Sequence, residues 1–139
     1  MSIRLFRPNG PIHVEWYPKT ASTAYAYGDL VAIDTTGYLI VYAAGGSYPM
    51  LGLIQETVAS TDATNKKVPV LVGSVDAEYL IDATTTAAGV TDVGEYCDYV
   101  AATQSVNVGS SSNDEFYITQ VISTTLVVGK FGQRLPVVL

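Results

Sequence analysis

Apolar and β-branched residues fall along this chain in short runs separated by Gly, Pro, Asp, Asn, Ser and Thr, a rhythm of strands and turns rather than of amphipathic helices. Residues 12–17 alternate, with Ile12, Val14 and Trp16 on one face and His13, Glu15 and Tyr17 on the other, and Pro18 ends the strand. The stretch YGDLVAIDTTGYLIVYA predicts a hairpin. Residues 30–33 and 38–42 are its strands, Asp34 suits the first turn position, and Gly37 tolerates a positive φ. Further strands are predicted in MLGLIQETV, broken by Gly52, and in VPVLVG after a polar stretch over residues 60–67. Pro69 removes a ladder donor there and predicts an edge or a bulge. VDAEYLID, a loop over residues 84–89, GEYCDYVA, SVNV and the loop GSSSND follow, then EFYITQVI and TLVVGKF joined at Ser123-Thr124. About eight to ten strands at this spacing predict a small all-β barrel or sandwich. Residues 38–42 and 68–72 are apolar on both faces, which calls for a second layer or a neighbouring subunit.

Composition sharpens this picture. A chain of 139 residues suits one domain with one core, and 14% charged against 48% apolar residues excludes a disordered or solvating polymer. So few charges together with ten tyrosines predict a surface that meets other protein, hence an oligomer. The single Cys97 rules out an intrachain disulfide and a cysteine zinc site, consistent with synthesis in a reducing cytoplasm. No apolar run approaches the roughly 20 residues of a membrane helix, and the N-terminal arginines precede no apolar signal region. Neither a membrane nor a readable address is expected.

Charge is segregated within the formal net of -6. Residues 68–129 hold eight acids and no Lys or Arg, whereas residues 1–19 hold Arg4, Arg7 and Lys19 against Glu15 alone, and Lys130 and Arg134 follow Gly129. An acidic body repels nucleic acid, so no such partner is expected. Pro8, Gly10 and Pro11 disfavour helix and central strand, which predicts an extended, marginally ordered arm over residues 1–11 and a single β domain over residues 12–139. In the arm Arg4 and Arg7 can grip carboxylates while Leu5 and Phe6 supply apolar anchors; Trp16 is expected to fasten the first strand to the body.

Catalytic chemistry finds little footing. His13 is the only histidine and has no neighbouring nucleophile pattern, so a packing or contact role is the better reading. Cys97 alternates with Tyr96 and Asp98, the setting of a buried small thiol, and the surrounding acids oppose a thiolate. Asp76 and Glu78 lie two apart on a predicted strand, a spacing open to glycosidase chemistry but more often a solvated face that blunts edge pairing. Asp92, Glu95 and Asp98 offer calcium ligands without the spacing of an EF-hand loop. No phosphate loop, nucleophile elbow, zinc helix or dinucleotide fingerprint is present, so no enzyme, metal or cofactor is expected.

The order of segments resembles that of the capsid decoration, or cement, proteins of tailed bacteriophages. GDLVAID then GYLIVYA is similar to their early hairpin, MLGLIQETVA then KVPVLVG to their middle pair, and VGEYCDYV with SSSNDEFYITQVI and LVVGKF to their C-terminal half, together covering residues 28–131. The resemblance implies a small antiparallel β-barrel or β-tulip-like domain with an extended N-terminal arm. It also implies a homotrimer, made in the host cytoplasm, that binds the outer surface of an assembled capsid and locks neighbouring major capsid protein subunits. The arm itself matches no family motif, so the capsid contacts expected under that reading, Arg4, Leu5, Phe6, Arg7, His13 and Trp16, rest on the charge and apolar character of the residues. The subunit interface then holds Tyr38, Tyr42, Phe131 and Arg134. A carbohydrate-binding or tail-fibre β module is the alternative, because exposed tyrosines and Trp16 can stack on sugar rings.

Overall fold

The computed structural model describes residues 3–43, 48, 50–63, 65–73, 76–84 and 86–131. Among these residues lie eleven strands, one 3-10 turn at Val90–Asp92 and no α-helix. The strands are β1 (Arg4–Arg7), β2 (His13–Pro18), β3 (Leu30–Ile33), β4 (Leu39–Val41), β5 (Met50–Ile54) and β6 (Lys67–Val72). After them come β7 (Glu78–Ala83), β8 (Tyr96–Val100), β9 (Ser105–Asn107), β10 (Phe116–Ser123) and β11 (Leu126–Phe131).

Two sheets divide these strands. In the first, the order β7-β11-β10-β8-β9 closes on itself because β9 also pairs in parallel with the end of β7, Asp82 opposite Ser105 and Ala83 opposite Val106. The result is a closed five-stranded barrel. Its other ladders are antiparallel; of them the sequence predicts the β10–β11 hairpin, which shifts register twice, between Ile118 and Gln120 and between Val121 and Ser123. Bulges of this kind increase the local twist and curl a sheet towards closure. The first half of β7 uses the same edge for β1, Arg4 opposite Leu80 and Leu5 opposite Tyr79. Residues 4–7, read from sequence as part of an unpaired arm, are therefore an added strand on the barrel. The sequence pattern missed it because RLFR has neither alternation nor β-branched residues, and its partners lie more than seventy positions away.

The second sheet runs β2-β6-β5-β3-β4. The predicted hairpin is present, with Val31 opposite Val41 and Ile33 opposite Leu39. Its turn is built by Asp34, whose Oδ1 accepts the Thr36 amide at 2.9 Å, the Thr36 hydroxyl at 2.5 Å and the Tyr38 amide at 3.2 Å, while Gly37 takes φ 88°. These donors, the Thr36 hydroxyl foremost, hold the Asp34 carboxyl below its ordinary value. Pro69 is not on an edge: β6 lies between β2 and β5. Its carbonyl accepts the Gln55 amide at 2.9 Å, just past the end of β5, so the missing N–H falls where that ladder stops.

Strands apolar on both faces serve two cores within the one chain. Leu30, Ala32, Tyr42 and Leu53 of the second sheet join the barrel residues Tyr79, Ile81, Tyr99, Phe116, Ile118 and Val127 in the larger core. Val31, Leu39, Ile54, Val68 and Val70 turn the other way, with Tyr25 and Val58, into the smaller one. The sheet rolls around this smaller core. Lys19 bridges Leu39 in parallel, and the Leu39 carbonyl accepts the hydroxyls of Thr20 and, at 2.8 Å, of Tyr25. The fully buried Lys19 ammonium donates to the carbonyls of Thr20 at 3.0 Å and Asp62 at 3.3 Å, which satisfies a charge that burial would otherwise penalise.

Candidate interaction surface

The residues singled out from sequence separate into three environments. Arg7, Glu78 and their neighbours form an internal clasp. Arg7 Nε donates to Glu78 Oε1 at 2.6 Å and Nη2 to Glu78 Oε2 at 3.4 Å and Gln120 Oε1 at 3.3 Å. The same carboxylate accepts Asn9 Nδ2 at 2.9 Å and the Thr119 hydroxyl at 2.5 Å. Glu78 is buried, and with Arg7 as the main cause, helped by Thr119 and Asn9 and opposed by burial, its carboxyl is pulled down to about 2. Arg7 also lies over the Phe6 ring, 4.9 Å from its centroid. Thus Arg7 does not present a free fork to a partner. Its carboxylate is supplied by its own chain. Asp76, the other half of the carboxylate pair, is exposed and ion-paired with Lys130 at 3.7 Å, so the two acids have unlike surroundings.

A second set lies in the larger core. Leu5 packs against it partly buried, and Tyr42 and Phe131, expected at a subunit interface, are 4% and 7% exposed. The Phe131 ring meets Phe116 at 4.9 Å, Tyr79 at 5.5 Å, Tyr99 at 5.7 Å and Tyr42 at 5.9 Å, mostly edge to face. This aromatic cluster, assembled from five different strands or strand ends, takes both residues away from the surface. Tyr38 is half-buried beside the β3–β4 turn, and Arg134 lies outside the described residues. Cys97 is fully buried, and burial, reinforced by Asp98, Asp92, Glu115 and Asp114, raises its thiol to about 12.

The calcium candidates are not brought together. Asp92 Oδ2 accepts the Gly89 amide at 2.7 Å and caps the 3-10 turn, and Glu95 is exposed. Asp98 is buried and accepts the Ser110 hydroxyl at 2.6 Å and the amides of Ser112, Asn113 and Asp114 at 3.1, 2.7 and 3.0 Å. It shapes the GSSSND loop. Burial raises its carboxyl and these hydrogen bonds outweigh that, leaving it lowered. Among the described residues no three His, Cys, Asp or Glu side chains form a metal-binding group.

The third set is exposed. Trp16, expected to pin β2 to the body, is 57% exposed, with Val14 at 47%, Ile12 at 43% and Phe6 at 39%. Ile12, just before β2, shares a face with Val14 and Trp16, as the alternation predicts, and in β2 itself only the last two residues, Tyr17 and Pro18, are partly buried. Tyr17 packs on the smaller core, whereas His13 and Glu15 on the same face reach solvent and pair with each other, Nε2 to Oε2 at 2.9 Å. Arg4 is exposed on β1. Neither a scan against protein-family models nor a search of curated proteins finds a match to this chain.

Proposed function

We propose that this chain is a structural protein of a phage virion, a head decoration protein that binds the outer capsid surface and stabilises contacts between major capsid protein subunits. The observation that carries this reading is the apolar row Ile12, Val14 and Trp16 left uncovered on the N-terminal strand of the second sheet. Exposed aromatic and aliphatic side chains of this kind dominate the energy of protein interfaces. The resemblance of residues 28–131 to cement proteins supplies the class of partner. Exposed Arg4 and Phe6 extend the contact set, and Leu5 and Arg7 leave it because they hold β1 to its own barrel.

The clasp changes how docking works. A strand already paired with β7 does not need to be ordered on binding, so less of the interaction energy is spent on conformational entropy. Presentation by a homotrimer then multiplies a small patch through effective concentration. Point variants are the proper test, since deleting residues 2–11 also removes Arg7 and Asn9 from Glu78. The protein is mixed with empty expanded shells, and co-sedimentation and shell melting temperature are measured. Binding with a raised shell melting temperature, weakened at least tenfold by Trp16→Ala, is expected; each tenfold loss is about 1.4 kcal/mol. Saturable glycan binding by the isolated chain, with no effect on shells, would instead favour the carbohydrate-binding module.

A further inference from the structure

We infer that the outer edge of β2 is a self-complementary docking surface whose occupant is the β2 strand of a second copy of this chain. The inference is independent of the capsid reading and of its homotrimer, because it is built from the backbone edge and the His13 and Glu15 side chains.

The direction of the backbone groups along β2 follows from its neighbour. The register pairs Trp16 with Pro69 and extends to Lys19 opposite Lys66. The Lys19 amide donates to the Lys66 carbonyl at 3.0 Å, and the Pro69 carbonyl turns the other way, to Gln55. Opposed residues in an antiparallel ladder alternate between bonded and non-bonded pairs, so odd-numbered residues of β2 bond β6. Ile12, Val14 and Trp16 therefore direct their N–H and C=O groups outward. Among the described residues no strand pairs with this stretch of edge. Within the same residues β4 bridges this edge at Lys19, just past the end of β2, and, running parallel, continues away from residues 12–16. The other open edges among the described residues are the arginine-bearing β1 and the three-residue β4. Charge and short length blunt edges of those kinds.

The edge fits its own two-fold image. Antiparallel pairing centred on Val14 sets Val14 against its copy, Ile12 against Trp16, and His13 against Glu15, with the last two pairs each occurring twice. All three outward-facing residues of this stretch carry an N–H, and the ladder stops at Pro18, which has none. The His13–Glu15 pairs fall in the non-bonded positions, where side chains approach most closely, and set an imidazole donor beside a carboxylate acceptor. On the other face the apolar rows of two copies merge into one. A two-fold contact is closed and self-limiting, which distinguishes this edge from one that would propagate into fibres.

Sedimentation velocity over a range of concentrations, without shells, tests the contact. His13→Glu places four carboxylates around the axis and is expected to yield a particle of about half the wild-type mass. The double variant His13→Glu/Glu15→Lys exchanges the signs and restores the wild-type mass. Both side chains are half exposed, so the variants retain the wild-type circular-dichroism spectrum and a loss of mass is not a loss of fold. Trp16, the only tryptophan, shifts its emission to the blue with concentration in the wild type and the double variant alone. Equal masses for wild type and His13→Glu, or a double variant that stays small, overturn the proposal. If removal of residues 132–139 then doubles the mass, the chain's own C-terminal segment is the occupant.

Discussion

One carboxylate, Glu78, adds side-chain bonds to the backbone ladder that holds the N-terminal strand on the barrel. It gathers donors from Arg7 and Asn9 at one end of the chain and Thr119 near the other, and stays ionised far below the ordinary carboxylate range. Because the folded value is depressed, the stabilisation is complete above the unfolded value of about 4.3 and is lost as pH falls towards about 2. Glu78→Gln should cost about 1–3 kcal/mol at neutral pH by leaving these donors poorly matched. Chemical denaturation from pH 7 to pH 2 should show that difference shrinking below pH ~4.3 as the wild type loses its charge. A difference constant across that range would contradict the role. The contrast with Asp34 explains what was legible. Asp34 bonds residues two and four positions away, so turn chemistry is written locally, whereas the partners of Glu78 lie 41 to 71 positions distant.

At the scale of elements, the β10–β11 hairpin closes the barrel at Gly129. A Cβ there would overlap the Tyr117 carbonyl oxygen and the Phe116 ring, because the strands approach more closely than any side chain allows. Gly129→Ala should destabilise by about 3 kcal/mol, at the upper end of overpacking costs, and thermal melting checks it directly. Sequence placed both strands of this hairpin and the turn between them, since alternation and β-branched content are local. It gave no warning that Gly129 faces a ring on the partner strand. Pro69 shows the same limit: its lost donor was visible, but the harmless position of that loss depends on where β5 ends.

For the whole molecule the decisive feature is that β3 serves two cores, Leu30 and Ala32 in the larger and Val31 in the smaller. Gln104 Nε2 adds a tie between the sheets by donating to Asp29 Oδ1 at 2.7 Å. Cores that share a strand should melt together. Val31→Ala, costing on the order of 2 kcal/mol, is therefore expected to lower one calorimetric transition that also reports the aromatic cluster around Phe131. Two resolved transitions, with only one displaced, would show that the cores are uncoupled.

The amino-acid sequence by itself determined the all-β class, the β3–β4 hairpin and the alternation of β2, because each depends on residues within a few positions. Tertiary structure alone decided which alternating face is covered. It buried Tyr42 and Phe131 in an aromatic cluster, tied Arg7 to Glu78, and left Trp16 in solvent on the uncovered face of β2. A period of two states that a strand has two faces. Only the position of the other strands says which one meets water.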